Sequence, residues 1–316
     1  MKIHLIGICG TGMGPLAGLL KAAGHDVRGS DSDVYPPMST QLAEQNIPVM
    51  NGYGDANLDW QPDVVIVGNV QSKDQIEVKA AQARGLKLTS FPALLEELFL
   101  TRLHALVVAG THGKTTTSSL AASVLVDAQR DPSFLVGGVP VGFGRSWRLG
   151  QGPHFVVEGD EYDTAFFDKG SKFLHYQPKT AIVTSVELDH VDIFDSLEAI
   201  KDTFRKFVAL IPASGLCVVA ADSPGALDVV KAAKCKVETY VVRGAENPDA
   251  QADWTARAIA TRAGGRTLFE VMHAGKPFGV FDTGLPGGYN LANALAVIAS
   301  CASLGLTPEE IGRGIR

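Results

Sequence analysis

The sequence predicts an α/β fold with two parallel-sheet units in series, the second extended by an antiparallel sheet. Three observations carry this reading. Twice, in the stretches from Ile3 to Ala23 and from Leu106 to Ala128, a short apolar run enters a glycine-rich turn and then a helical stretch. Around these units, strand-length apolar runs alternate with helix-length stretches, the pattern of a parallel sheet with right-handed crossovers. From Trp254 to Phe281 the pattern shifts to short β runs broken at Gly264-Gly265 and Gly275-Lys276-Pro277, an antiparallel meander.

Composition narrows the class. The 316 residues are enough for about two domains. A hydrophobic content of 46%, with 34 glycines and 16 prolines, fits a globular protein rich in tight turns. The formal net charge of −6 argues against a nucleic-acid partner, so an anionic ligand must be held locally by glycine loops and helix ends. Cys9, Cys217, Cys235 and Cys301 show neither a CxxC pair nor metal-ligand spacing and read as buried thiols in a reducing compartment. The run from Met1 to Gly7 is too short for a signal-peptide core, and no stretch approaches the roughly 20 apolar residues of a membrane span. A soluble, cytoplasmic protein with no membrane partner is expected.

In the first unit, Ile3 to Ile6 reads as a buried strand entering Gly7-Ile8-Cys9-Gly10-Thr11-Gly12-Met13-Gly14. Pro15 suits the first turn of a helix through Ala23, with Gly24 as its stop. A second strand, His25 to Gly29, ends at Ser30-Asp31, where a Rossmann-like unit places an acid against a ribose. The glycine spacing departs from G-x-G-x-x-G, whose third glycine would fall at Pro15, so a diphosphate site other than NAD is favoured over a plain packing turn. A third strand at Val64–Val67, a helix at Ile76–Ala83 and a strand at Leu86–Thr89 follow. Gly7–Gly14, Asp31 and the Gly68-Asn69 step then converge at the carboxyl ends of the strands, where open α/β sheets bind ligands. Asp33 to Thr40 is a proline-stiffened loop, either part of that edge or a connector. The domain boundary is expected near Thr101–Leu103, dividing the chain into 1–102 and 103–316.

The second unit is of P-loop ATPase type. Leu106 to Ala109 feeds Gly110-Thr111-His112-Gly113-Lys114-Thr115 and a helix from Thr116, aiming backbone N–H groups and a helix N-terminus at one spot suited to phosphate. Lys114 adds a point charge for β/γ-phosphates and Thr115 a hydroxyl for Mg²⁺. The loop is a variant, because Val108 stands where the usual pattern has its first glycine. The strand His154 to Glu158 ends in an acid beside this loop, a common way of holding Mg²⁺. Asp160, Glu161 and Asp163 read either as outer partners or as a solvated acidic turn. The strand Ala181–Thr184 likewise runs into Asp189-His190-Val191-Asp192, making His190 a candidate for a second ion, with a hydrogen-bonded structural role as the alternative. Leu216–Ala221 and Val237–Val242 continue the strands. Asn290 and Asn293 lie three apart near the start of an Ala-rich helix, positioned either to cap it or to read an adenine edge.

Taken together, these stretches resemble the Mur ligase superfamily, ATP-dependent amide-bond-forming enzymes of bacterial cell-wall synthesis. Its phosphate loop reads G-T-x-G-K-T, which Gly110–Thr115 matches, so Val108 is no anomaly. The resemblance covers essentially the whole chain and is strongest to members that take UDP-N-acetylmuramate. It implies that Gly7, Gly10, Thr11, Gly12, Met13, Asp31 and Asn69 hold the UDP-sugar. It implies that Gly110, Thr111, His112, Gly113, Lys114, Thr115, Thr116, Asn290 and Asn293 hold ATP. Thr115, Glu158 and His190 would bind Mg²⁺, and Lys114, Glu158 and His190 would be catalytic.

Two stretches point to the branch that adds murein tripeptide, L-Ala-γ-D-Glu-meso-diaminopimelate: Ser30-Asp31 running into Tyr35–Thr40, and Glu161 to Phe173. The L-alanine-adding branch would show Glu-Ser-Asp-Ala-Ser-Phe at the second. Tyr289 stands where relatives often show histidine. The superfamily has a third, Rossmann-like C-terminal domain, and this sequence stops at Arg316 soon after a helical stretch from Pro308, so a two-domain fragment, monomeric or weakly homo-oligomeric, is expected. The implied reaction phosphorylates the muramate carboxylate with ATP, and the tripeptide amine then displaces phosphate. The rivals are an L-alanine-adding ligase and, from another class, a non-catalytic nucleotide-binding regulator.

Overall fold

The computed structural model describes residues 1–188, 194–244 and 249–316. A first sheet takes β1 (Lys2–Ile6), β2 (Asp26–Asp31), β3 (Val49–Asn51), β4 (Val64–Val67) and β5 (Lys87–Ser90), all parallel, in the order β3-β2-β1-β4-β5. Its helices are α1 (Met13–Ala22), α2 (Met38–Glu44) and α3 (Ile76–Ala83), with α4 (Phe91–Leu95) after β5 passing into a π-helical stretch, Glu96–Leu100. The strand side chains alternate between two buried faces, which is why these strands read as unbroken apolar runs. Ile3 and Leu5 pack with Leu16, Leu19 and Leu20 of α1, whereas Ile6, Val65 and Val67 pack with Val78 and Ala81 of α3.

On that second face lies a polar cluster. The Glu77 carboxylate is fully buried and accepts hydrogen bonds from Asn57 Nδ2 (2.6 Å), the Gly54 amide (3.0 Å) and the Ser30 hydroxyl, with His4 Nε2 at 3.3 Å. Burial pushes its pKa up, but the bonds from His4, Ser30, Asn57 and Gly54 outweigh burial and leave it below the usual carboxylate value.

The second sheet starts with β6 (His104–Ala109), followed by α5 (Lys114–Asp127), β7 (Ser133–Leu135), β8 (Trp147–Arg148) and β9 (His154–Gly159). A separate hairpin, β10 (Asp163–Ala165) and β11 (Asp168–Ser171), precedes β12 (Thr180–Val183), α6 (Leu197–Ala209), β13 (Leu216–Ala220), α7 (Pro224–Val229) and β14 (Lys236–Arg243). Then come β15 (Trp254–Thr261), β16 (Thr267–His273), β17 (Lys276–Thr283), α8 (Gly288–Ser303) and α9 (Pro308–Ile315). The order is β17-β16-β15-β14-β13-β12-β6-β9-β7-β8, parallel from β15 to β7 and antiparallel at both edges. Leu106 and Val108 of β6 face α5 and α8, while Ala105, Val107 and Ala109 face the core shared with the first unit. The units touch closely: a Cβ on Gly18 of α1 would lie 2.4 Å from the Trp147 ring of β8. Among the described residues no helix is long and apolar enough to cross a membrane.

The main strands, the meander and the helices expected at Ile76–Ala83, after Pro15 and after Thr115 are all present. Two expectations are corrected. Val64–Val67 is the fourth strand, because the three-residue β3 at the sheet edge is too short to show a period. The loop expected through Thr40 ends at Pro37, the N-cap of α2, with a cis Pro36–Pro37 bond. The two short hairpins, β7–β8 and β10–β11, went unread.

Candidate active site

Gly110 (φ 137°) and Gly113 (φ 79°) adopt backbone angles that side-chain-bearing residues rarely reach. Both are also sterically confined. A Cβ on Gly110 would sit 2.1 Å from Thr184 Oγ1, and one on Gly113 would sit 2.7 Å from Asn293 Oδ1. The glycines retained by the variant loop are thus the ones its backbone requires, while Val108 is a fully buried strand residue. The segment after β12 supports the turn. The Thr111 amide donates to the Ser185 carbonyl (2.9 Å), the His112 amide to Ser185 Oγ (3.1 Å) and the Glu187 amide to Thr111 Oγ1 (2.9 Å).

Lys114 begins α5 and curls back over the turn. Its ammonium donates to the Gly110 carbonyl at 2.7 Å and to the Glu161 oxygens at 3.0 and 3.1 Å, with Glu161 only 3% exposed. Thr115 Oγ1 donates to Glu158 Oε1 at 2.9 Å, and the Gly137 amide donates to Glu158 Oε2 at 2.7 Å. A Cβ on Gly137 would lie 2.7 Å from that carboxylate oxygen, so a side chain there would push the Glu158 carboxylate aside. Thr116 is half-buried in the first turn of α5.

Asn293 is buried against Gly113 and donates from Nδ2 to Asn290 Oδ1 (3.3 Å), while Asn290 Nδ2 donates to the Pro286 carbonyl (2.8 Å). Neither asparagine caps α8. Gly287, with φ at 90°, is its N-cap, because the turn needs a left-handed residue there. Tyr289 is 92% exposed.

A cavity of about 460 Å³ joins the two units. One wall holds Gly7, Gly10, Thr11, Gly12, Met13 and Asn69, and the other holds Gly137, Glu158, Asp160 and Lys172. Asp31 does not line it. Its carboxylate turns to the loop, accepting from the Cys9 amide (2.8 Å), the Asp33 amide (3.3 Å) and Tyr53 OH (3.3 Å). The acid therefore braces the turn that forms this cavity wall. Burial, with the Asp31 charge, pushes the Cys9 thiol up to about 11. At the cavity floor, burial holds the Tyr176 hydroxyl far above its ordinary pKa, reinforced by Asp160 and Glu158.

His190, with Asp189 and Asp192, lies outside the described residues. Among the described residues no group of three His, Cys, Asp or Glu side chains could hold a metal ion. The Thr115 hydroxyl against the Glu158 carboxylate still fits Mg²⁺, which takes few protein oxygens and completes its shell with phosphates and water. Sequence reasoning missed Gly137, the Thr184–Ser185 support and the pairing of Glu161 with Lys114. Gly137-Gly138 directly after an apolar run was the available signal for the first. The others depend on contacts between distant segments.

The family model described as "Mur ligase family, catalytic domain" matches residues 2–102, and "Mur ligase middle domain" matches 108–301. The UDP-N-acetylmuramate–L-alanyl-γ-D-glutamyl-meso-2,6-diaminoheptandioate ligase of Escherichia coli (strain K12) is 40% identical over 315 residues, covering 100% of this chain and 67% of the relative. A crystal structure of UDP-N-acetylmuramate:L-alanyl-γ-D-glutamyl-meso-diaminopimelate ligase from Neisseria meningitides aligns with a TM-score of 0.89 at 42% identity, covering 100% of this chain and 97% of that one. UDP-N-acetylmuramate–alanine ligase from Thermotoga maritima aligns at 0.80 and 25% identity, covering 100% of this chain and 68% of that one. The chain thus spans about two thirds of the length of the curated relatives it matches. It belongs to the Mur ligase family.

Proposed function

We propose that this protein joins murein tripeptide, L-Ala-γ-D-Glu-meso-diaminopimelate, to UDP-N-acetylmuramate at the expense of ATP, through an acyl phosphate. One observation carries the reading. Glu158 is shared by both halves of the site, bonded to Thr115 of the phosphate loop and lining the cavity whose far wall is the Gly7–Met13 turn. A carboxylate at the end of a nucleotide-sugar and the terminal phosphate of ATP would meet there. The choice of tripeptide over L-alanine rests on the names of the relatives at 40% and 42% identity and on the Glu161–Phe173 stretch.

In this reading residues 1–102 hold the nucleotide-sugar and 103–316 hold ATP. The Gly7–Met13 turn and the start of α1 bind the diphosphate through backbone N–H groups. Gly110 to Thr116 cradle the ATP phosphates. Lys114 exchanges its contact with Glu161 for the transferring phosphoryl group, neutralising charge as it develops. Asn293, braced by Asn290 over Gly113, positions the nucleotide end of the loop. Mg²⁺, when bound at Thr115 and Glu158, would neutralise phosphate charge; His190 is proposed to help with a second ion. Catalysis is then orientation and electrostatics.

The test is phosphate release by the full-length protein with UDP-N-acetylmuramate and ATP, comparing tripeptide with free L-alanine. Release with tripeptide alone supports the proposal. Release with L-alanine alone would replace it with the L-alanine-adding reaction, and release with neither would favour a non-catalytic nucleotide binder.

A further inference from the structure

The cavity wall opposite the glycine turn contains one unexplained group, Lys172. It opens the short 3₁₀ turn Lys172–His175 directly after β11, and its ammonium lies 2.6 Å from Asp160 Oδ2. The two side chains are 18% and 32% exposed, so the pair is partly withdrawn from water but open to the cavity. Asp160 is fixed in turn, accepting the Tyr162 amide at 3.0 Å. Among the described residues lining the cavity, Lys172 is the sole cation, facing the two acids Glu158 and Asp160.

An anion entering this end of the cavity meets two carboxylates, which repel it unless a positive charge intervenes. An ammonium group has three donors, and Asp160 takes one, leaving donors for a second carboxylate. The diphosphate of a nucleotide-sugar has its own donors on the opposite wall, at the Gly7–Met13 turn. The sugar's carboxylate is the anion left for Lys172. We propose, resting on the reading of this cavity as the UDP-N-acetylmuramate site, that Lys172 binds the lactyl carboxylate of that substrate. Asp160 orients the ammonium, and the carboxylate is presented beside Glu158. Lys172 is then the residue that tells a muramate nucleotide from its parent amino sugar.

The test uses titration calorimetry on wild type, Lys172→Met and Lys172→Arg with two ligands. UDP-N-acetylmuramate carries the lactyl carboxylate and UDP-N-acetylglucosamine lacks it. Lys172→Met should weaken binding of the first by about 10- to 100-fold, the range for a hydrogen bond to a charged group, and leave the second unchanged. Lys172→Arg should recover part of the loss. Misfolding would lower both affinities together, so the ratio between ligands is the readout, and Lys172→Gln provides a second, polar variant. Equal weakening of both ligands, or no weakening of UDP-N-acetylmuramate, overturns the proposal. A wild type that binds neither ligand would instead overturn the reading of the cavity itself.

Discussion

Two strand–turn–helix units meet at this cavity, and their turns differ in the charge they carry. The Gly7–Met13 turn carries no charged side chain; its Cys9 amide is tied to the buried Asp31 and its helix has no side-chain cap. The Gly110–Thr115 turn carries a lysine bonded to Glu161, just after β9, and a hydroxyl bonded to Glu158, within β9. A pyrophosphate that is only bound needs fixed amides. A phosphoryl group that moves needs a charge that can change partners, and in the proposed function Lys114, paired with Glu161, is that charge.

The sharpest way to break this comparison is Lys114→Ala. Turnover should fall by roughly 10²-fold or more, with UDP-N-acetylmuramate affinity unchanged by calorimetry. The same change removes the ammonium bonded to the buried Glu161 carboxylate, so denaturant unfolding should also show a loss of about 2 kcal/mol. Comparable losses in turnover and nucleotide-sugar affinity would show that the two turns do not divide the work.

Glycine substitutions come next. Gly113→Ala combines a positive φ with a Cβ 2.7 Å from a buried asparagine oxygen, and should cost about 3 kcal/mol and ATP binding. Gly7→Ala has a similar φ but meets only the end of the Gln71 side chain at 3.2 Å. It should cost about 1 kcal/mol and act on the nucleotide-sugar instead. Thermal denaturation with separate titrations of the two nucleotides checks both.

Acid sensitivity divides between buried histidines and hydrogen-bonded carboxylates. Burial, helped by His154 and Lys179, lowers the His104 pKa from 6.5 to about 4. Between those values the unfolded chain binds the proton and the folded chain does not, so stability is lost as pH falls from 6.5 towards 4. Glu77, held below 4.5, contributes stability that disappears only under more acidic conditions, as pH falls from 4.5 through its folded value. Unfolding measured against pH should therefore show an early acid limb that His104→Gln reduces by roughly 2 kcal/mol after solvent screening, with His154 and His25, also lowered by burial, supplying the rest. A later limb should respond to Glu77→Gln. Asp31→Asn should weaken nucleotide-sugar binding by about 1 kcal/mol, close to fivefold, without altering ATP affinity.

The legible parts of the sequence were those with a period or a local steric demand. Buried strands such as Val64–Val67 and Val107–Ala109 announce themselves by unbroken apolar runs, and Gly110-x-x-Gly113-Lys114 by the turn it must make. The three-residue β3 and the hairpin strands β7, β8, β10 and β11 are too short to carry a period. For Asp31 the sequence shows its place at a strand end but not the amides its carboxylate meets. Glu161 and Gly137 entered the site through contacts made across 47 and 21 residues, with Lys114 and Glu158 respectively, and spacing alone does not reveal these.

The central claim is that the nucleotide-sugar carboxylate and the terminal phosphate of ATP meet beside Glu158. The most direct measurement uses UDP-N-acetylmuramate labelled with heavy oxygen in its lactyl carboxylate, turned over by the full-length protein with ATP and tripeptide. An acyl phosphate transfers one carboxylate oxygen to phosphate when the amine displaces it, so mass spectrometry should find the label in the released inorganic phosphate. Turnover that releases only unlabelled phosphate would contradict the account.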